Sequence, residues 1–429
     1  MYKIIAILFW KKHNFNEEKK SNDTAMKKKN NLVNRFSRMV ASISILLVPF
    51  ISSCVEEFKV SRTITETYDG EMVIHGRILA GEESVFHLSR TVPFSSDDPY
   101  PIIRDAQVSI IGENGFRSEL ATYEAESNGY IIDTKDLKND TQYAVEVSID
   151  GEMYRSQFQP LKVSPPIDEL TYQENGDNIS IHVNTHDEND ASRFYMWSYE
   201  EDWEFHAEID FIRVNGMVPI YNKEVHYPLV QQNVNPYYYC WMSNFSRNIH
   251  LYSTDNLQEN SVKNAKLLEI PMDDIRISFI YSILVKQWSM SDAAYNYYKT
   301  LKLYTEESGG LFTPMPTEIT GNVYCVSNPD KKARGYVMAS TVESKRLFVY
   351  ASDFTKATPT YENCYMQRGD GPMGTMGWGR LIDDHGYIAL SPYGMINSES
   401  LLYSYECVNC LETKGATKKR PIFWPNNHE

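Results

Sequence analysis

The stretch IRISFIYSILVKQWSM, residues 275–290, decides the fold of this chain. From Ile275 to Val285 an apolar side chain recurs at every second position, which is the period of a β-strand with one buried face. This is the cleanest such pattern in the sequence, so the strand is predicted to lie at the centre of a sheet. The alternating set is Ile275, Ile277, Phe279, Tyr281, Ile283 and Val285.

A long helix is predicted to follow the central strand, at about residues 291–307. Ser291 has the side chain of a helix N-cap, and Asp292 places an acid in the first turn, where it complements the helix dipole. The glycines Gly309 and Gly310 are expected to end the helix. One helical face would carry Ala294, Tyr298, Leu301 and Thr305.

Residues 71–166 are predicted to form a separate all-β region. The strand at residues 143–149 alternates strictly, and turn signals recur at intervals of roughly 8–12 residues, as they do in β-sandwiches. The consecutive prolines Pro165 and Pro166 end the region because proline cannot continue a hydrogen-bonded ladder. The predicted fold is therefore mostly β, with an N-terminal Ig-like or transthyretin-like β-sandwich. A larger β-rich domain with at least one long helix would occupy residues 167–429.

The start of the chain has the composition of a lipoprotein signal. The run VASISILLVPFISSCVEE, residues 40–57, follows several lysines and arginines, and its ISSC motif fits the lipobox in which a cysteine is acylated. The sequence predicts a leader at residues 1–53 (with Met26 as the true start), membrane lipid on Cys54, and a polar tether at residues 54–70. The alternatives are a secretory signal with an incidental cysteine, or a transmembrane anchor. For an anchor the apolar run is too short, because a span needs about 20 residues.

The charge balance of the chain excludes one class of partner. The leader holds 10 Lys and Arg against 3 Asp and Glu, so the net charge falls from −15 for the whole chain to −22 for residues 54–429. Phosphate contacts need clustered Lys and Arg, so no nucleic acid partner is expected. An acidic body is also expected to stand off from anionic lipid.

Five further cysteines are disulfide candidates, because disulfides persist in the compartments to which exported proteins go. Five is an odd number, so at least one thiol stays free or pairs with another molecule, and the connectivity cannot be read from the sequence. The lone CxxC would need more ligands to hold zinc and a helix behind it to act in redox chemistry. A disulfide that fastens the tail at residues 414–424 is therefore favoured. The candidates are Cys240, Cys325, Cys364, Cys407 and Cys410, of which the last two form the CxxC.

Candidate binding surfaces lie in the second region. The segment GDGPMGTMGWG, residues 369–379, is predicted to be a surface loop, which is either a binding element or a plain hairpin connection. The acidic run at residues 200–204 is expected to be a solvated face, with a calcium site as the less favoured alternative. His182 and His186 lie too far apart along a strand to favour a shared metal. The candidate contact residues are Met373, Met376, Trp378 and Trp203.

The sequence contains no motif that carries a known catalytic mechanism. Neither a Gly-x-Ser-x-Gly elbow nor a His-Glu-x-x-His helix is present. Carboxylates are abundant, but nothing singles out one pair as a glycosidase dyad. No catalytic residue, metal or cofactor is therefore predicted.

Several segments together resemble a Bacteroidota lipoprotein family catalogued as domain of unknown function 4249. The most specific are ISFIYSILVKQWSMSDAAYNYYKTL, SGGLFTPMPTEITGNV and the ending CVNC…GATKKRPIFW, which departs from the pattern at Asn409 and Leu411. The family offers no catalytic residue to carry over. Its members are often encoded beside TonB-dependent outer-membrane receptors, so the resemblance implies an envelope location and a role in uptake.

The expected function is that of an outer-membrane, surface-facing lipoprotein. It would be a non-enzymatic accessory or binding protein of a TonB-dependent nutrient uptake system, with the second region, residues 167–429, carrying the contact. The alternatives are a structural or adhesion lipoprotein without a small ligand, and a cell-surface hydrolase.

Overall fold

The computed structural model describes eight ranges of the chain. The predictions for Cys54, the leader, the tether and the loop at residues 369–379 lie outside them. The described ranges are residues 70–92, 101–209, 218–220, 237–306, 318–354, 364–368, 387–391 and 401–425.

Strands dominate the described part of the chain, which confirms the predicted mostly-β class. The first strands are β1 (Met72–Ala80), β2 (Glu83–Arg90), β3 (Gln107–Gly112), β4 (Thr122–Glu124), β5 (Gly129–Asp133), β6 (Gln142–Ile149), β7 (Glu152–Ser156) and β8 (Gln159–Pro160). The middle elements are β9 (Ile167–Asn175), β10 (Asn178–His186), β11 (Phe194–His206), β12 (Val218–Ile220), β13 (Tyr239–Phe245), β14 (His250–Ser253), β15 (Ser261–Pro271), β16 (Ile280–Met290) and helix α1 (Asp292–Thr305). The last are β17 (Val323–Cys325), β18 (Ala333–Arg334), β19 (Val337–Tyr350), β20 (Met366–Arg368), β21 (Tyr387–Ser391) and β22 (Leu401–Ser404).

A ten-stranded sheet organises the fold. Its order is β13-β11-β16-β19-β1-β2-β5-β4, with β14 paired to β11 and β18 to β1. β1 and β19 run parallel, whereas β16 is antiparallel to both of its neighbours. The strand predicted to be central therefore lies inside the sheet, with β11 on one side and β19 on the other.

The central strand begins later than the sequence pattern predicts. Ile275–Ile277 form a 3-10 turn, because the Asp274 side chain caps it by accepting a hydrogen bond from the backbone N–H of Arg276. The strand proper starts at Ile280, and side chains on both of its faces are buried. Alternation in the sequence thus marked a strand that is covered on both sides, as strands inside large layered folds are.

Two smaller sheets pack against the large sheet and enclose separate cores. One core lies between β11, β16 and the three-stranded sheet β15-β10-β9, and includes Trp203, Tyr281 and Val285. A second core lies between β1, β2 and β5 and the sheet β17-β7-β6-β3. This second core is the sandwich expected at residues 71–166.

Later strands complete this sandwich. β17 pairs with β7, and both β18 and β19 pair with β1, so chain from beyond residue 166 closes both of its sheets. By its contacts the whole segment Tyr68–Glu429 forms one compact unit. The large sheet therefore runs through both of the predicted regions.

Helix α1 confirms the predicted helix and its cap. The Ser291 hydroxyl accepts from the backbone N–H of Ala294, and Asp292 lies in the first turn. Ala294 and Tyr298 are buried against Trp288 and other side chains of the large sheet. In the described part of the chain, no helix has the length and apolar character that a membrane crossing requires.

Candidate functional site

Two disulfides hold the C-terminal segment. Cys240 on β13 bonds Cys410 with a Cα–Cα distance of 5.8 Å, and Cys364 bonds Cys407 with a distance of 4.7 Å. Both cysteines of the CxxC are thus oxidised, as predicted, but each bonds a distant partner and not its neighbour. Among the cysteines of the described residues, Cys325 is free, and it is buried.

These bonds give the CxxC a structural role. Cys407 is the last residue of the short 3-10 turn Tyr405–Cys407, and Cys410 is the first residue of the turn Cys410–Glu412. Neither cysteine therefore begins a longer helix. The bonds span 170 and 43 residues of chain. Closing such loops restricts the unfolded chain and typically stabilises a fold by about 2–4 kcal/mol.

One group in the described residues has the spacing of a metal site. The carboxylate of Glu208 lies within 4.8 Å of the sulfurs of Cys364 and Cys407. Those sulfurs are bonded to each other in a disulfide. Zinc binds cysteine as a thiolate, so these bonded sulfurs are not zinc ligands. Burial raises the pKa of Glu208, so even its carboxylate is disfavoured as an anion. The arrangement therefore offers no ligand set for a metal while the disulfide is intact.

The acidic run is not the solvated face that the sequence predicts. Glu201 and Glu204 are 1% and 0% exposed. They lie on β11, which is paired on both edges and covered on both faces. Because neighbouring residues of a strand face opposite sides, the two carboxylates point into two different environments.

Glu201 faces the inner core, where it is fully paired. Its Oε1 accepts from Arg276 Nη1 and from the Tyr281 hydroxyl, each at 2.8 Å, and its Oε2 accepts from Asn244 at 3.2 Å. Arg276 also donates to Asp274 at 2.7 Å. Burial alone would lower the pKa of Arg276, but its bonds to Asp274 and Glu201 raise it above the ordinary value. A buried charge needs such partners to be tolerated.

Glu204 faces the outer side and holds the C-terminal tail. Its Oε2 accepts from the indole N–H of Trp424 at 2.5 Å. Trp424 is buried against Trp241 and Ile280, and the backbones of Trp241 and Thr417 bond each other in both directions at 2.9 Å. The tail is therefore fixed to the large sheet by these contacts as well as by the disulfides.

The other candidate residues are not brought together. Trp203 is 6% exposed within the inner core, so its ring does not form part of the surface. Met373, Met376 and Trp378 lie outside the described residues. His186 Nδ1 bonds the carboxylate of Asp168 at 2.8 Å, and this raises the pKa of His186. For His182, burial lowers the pKa, so the two histidines have different surroundings.

Sequence reasoning missed the partners of the acidic run. Arg276 and Trp424 lie 75 and 220 residues from the carboxylates that they bind. The one local signal is Asp274, which lies two residues before Arg276. This spacing indicates a capped turn and an ion pair just before the central strand. No local signal connects Trp424 to Glu204.

Comparison with known proteins identifies a family and little beyond it. No curated protein matches the chain. Among solved structures it is similar to "Escherichia coli alpha-2-macroglobulin activated by porcine elastase", with 7% identity and a TM-score of 0.18, over 79% of this chain and 23% of that chain. The chain thus spans under a quarter of that protein, and a TM-score so low supports no argument. The profile of the family described as Domain of unknown function (DUF4249) matches residues 57–346, well over half of the chain, and the chain therefore belongs to this family.

Proposed function

We propose that this protein is an outer-membrane lipoprotein, anchored through acylated Cys54 and facing the cell surface. It serves as a non-enzymatic binding accessory of a TonB-dependent nutrient transporter. The observation that carries the proposal is the position of the lipobox. Its cysteine lies three residues before the family match, which begins at residue 57, so a lipid on Cys54 joins the membrane directly to the family domain.

The oxidised cysteines support export. Structural disulfides persist in the periplasm and at cell surfaces, whereas the cytosol keeps thiols reduced. In the described part of this chain, two disulfides tie the C-terminal segment to β13 and to Cys364. A fold that depends on such bonds fits a protein that matures outside the cytosol.

The charge of the body supports a role in solvent above the membrane. Residues 54–429 are strongly acidic, and like charge on lipid headgroups repels such a surface. Several acyl chains on one cysteine anchor a protein stably, since each buried methylene contributes about 0.8 kcal/mol. The lipid therefore holds the protein while the folded body stays free to meet a partner.

The anchor is tested by Cys54→Ser in the full-length protein. The variant should take up no labelled palmitate and should leave the washed membrane fraction, because the lipidated thiol is gone. Ser53→Ala keeps a small residue in the lipobox and serves as the matched control. Retention of the Cys54→Ser protein in the membrane pellet, with no palmitate on the wild type, would refute the lipoprotein assignment.

The partner is tested by affinity capture from solubilised outer membranes with the tagged wild-type protein. Co-isolation of a large β-barrel receptor is the expected result. Capture of host matrix components without a receptor would support the adhesion alternative. Substrate turnover that is lost on mutation of one carboxylate pair would support a hydrolase.

A further inference from the structure

Arg77 is a half-buried cation that lacks an anionic partner in the described part of the chain. It lies on the face of β1 opposite the sandwich core, which receives Ile74 and Ile78. Its guanidinium carbon lies 4.2 Å from the centre of the Trp288 ring, and its Nη1 bonds the sulfur of Met196 at 3.7 Å. Its surroundings are therefore rings and a thioether.

Seven other arginines of the described chain bind carboxylates, whereas Arg77 packs against rings and a sulfur. Burial lowers the pKa of Arg77, and the neighbouring Tyr298 side chain offsets part of this effect. Removing a charge from water without an anion is costly, and the cation–π contact with Trp288 recovers only part of that cost. The arginines with a carboxylate partner are Arg90, Arg117, Arg155, Arg193, Arg276, Arg334 and Arg346.

Two more polar groups beside Arg77 lack a partner. The indole N–H of Trp288 and the hydroxyl of Tyr298 are buried and bond to none of the described residues. Each side chain belongs to a residue that is 3% exposed. A buried donor without an acceptor destabilises the fold, so proteins rarely leave two in one cluster without a use.

The His75 end of the cluster is exposed to solvent. His75 is exposed and lies two residues before Arg77, on the same face of the strand. It sits directly opposite His87 of β2, which is also exposed, and its ring meets the Tyr298 ring edge-on at 6.2 Å. A ligand can therefore reach the cluster from the His75 side.

We infer that Arg77, Trp288, Tyr298 and His75 form a binding site for a small organic carboxylate that carries a ring or an apolar group. The guanidinium, indole and phenol groups are donors, and together they select an anion. A guanidinium fork matches a carboxylate with two parallel hydrogen bonds. The exposed ring of His75 suits the apolar body of the ligand.

This site deepens the proposed binding role by giving it a ligand class, and so rests on that proposal. An acidic sugar and the C-terminus of a peptide share the required chemistry. The probes are therefore D-glucuronate with neutral D-glucose, and acetyl-Ala-Phe with its C-terminal amide. Isothermal titration calorimetry and thermal melting at constant ionic strength are run on the full-length protein in detergent.

At least one carboxylate should bind roughly tenfold more tightly than its neutral counterpart. The reason is that only the carboxylate forms a charge-assisted bidentate hydrogen bond with the Arg77 guanidinium. It should also raise the melting temperature, as any ligand that binds the folded state does. Glucuronate alone would identify the sugar source, and the free peptide alone the peptide source. Equal binding of charged and neutral probes, or no binding of either pair, overturns the inference.

Three variants locate the site. Arg77→Met keeps the apolar stem and should weaken carboxylate binding roughly tenfold. Tyr298→Phe removes one hydroxyl from a retained ring, so it tests the site even where Arg77→Met does not fold, and should weaken binding several-fold. Arg104→Met is the control, because Arg104 is exposed and its one bond within the described residues is to the Tyr123 hydroxyl.

Wild-type affinity in a folded Arg77→Met or in Tyr298→Phe overturns the site. Failure of the site is separable from failure of the proposed function. Carboxylate binding without receptor capture removes the transporter role and keeps the site, whereas capture without carboxylate binding does the reverse.

Discussion

Two arginines, Arg276 just before β16 and Arg77 on β1, are surrounded in opposite ways. Arg276 lies between Asp274 and the buried Glu201, with both ion pairs at 2.7–2.8 Å. Arg77 packs against the ring of Trp288 and the sulfur of Met196, and no described carboxylate meets it. Where the anion belongs to the chain, the arginine holds the fold together. Where the described part of the chain supplies none, the charge is available to a ligand.

The largest effect is expected for Arg276→Met. This substitution leaves Glu201, which is 1% exposed, as a buried anion without its ion pair. Breaking a buried pair from one side costs about 3–5 kcal/mol of unfolding free energy. Urea denaturation measures it. Adding Glu201→Gln should recover part of the loss, while Lys135→Met, at an exposed pair, should cost less than about 1 kcal/mol. Equal losses of unfolding free energy for Arg276→Met and Lys135→Met would contradict the role assigned to Arg276.

Removal of a disulfide tests how far covalent bonds fix the Arg276 region. Cys240→Ala with Cys410→Ala should lower the unfolding free energy by about 2–4 kcal/mol. The pair Cys364→Ala with Cys407→Ala is the comparison. This second disulfide closes a loop of 43 residues, whereas the first closes a loop of 170. Because the chain entropy lost on closure grows with loop length, removing the second should lower the unfolding free energy by roughly 1 kcal/mol less. The reverse order, in denaturant melts of both double variants, would show that local packing dominates.

Trp424→Phe tests the second buried carboxylate of the acidic run. It keeps an aromatic ring against Phe348 and removes the N–H that Glu204 accepts. A hydrogen bond to a charged group contributes about 1.5–3 kcal/mol, and a loss of that size is expected in the melt. Ile422→Ala, two residues away at a fully exposed side chain, should change stability by less than about 0.5 kcal/mol.

Apart from the control substitutions, the smallest effect on stability is expected for Arg77→Met. The cation–π contact with Trp288 is lost, but the desolvated charge disappears with it, so the change should stay within about 1 kcal/mol of the wild type. The same substitution is thus mild here and severe at Arg276. A loss above 3 kcal/mol would show that Arg77 has a structural partner and would erase the contrast.

The sequence was most informative where one element carried its own signal. Helix α1 was predicted within two residues at its C-terminal end, because an N-cap, an acidic first turn and a 3.6-residue period are local properties. The strand β16 was also predicted, but in the structure it begins at Ile280, five residues later than the sequence pattern indicates. Asp274 captures the backbone N–H of Arg276, and this local bond competes with the strand.

The acidic run shows why contacts between distant parts of the chain could not be predicted from the sequence. Four acids within five residues favour a solvated surface when only the neighbours are considered. Burial of Glu201 and Glu204 is tolerated because Arg276 and Trp424 arrive from distant parts of the chain. The sandwich shows the same limit, since β17, β18 and β19 join it from more than 150 residues beyond its other strands.

By itself, the sequence determined the β class, the strand and helix around residues 280–305, the oxidation of Cys407 and Cys410, and the family. Only the tertiary structure decided the disulfide pairing, the burial of the acidic run and the isolation of Arg77 among rings. The first set depends on periods, caps and composition, which act over a few residues. The second depends on which side chains meet across 43 to 220 residues of chain, and that is set by sheet pairing and packing.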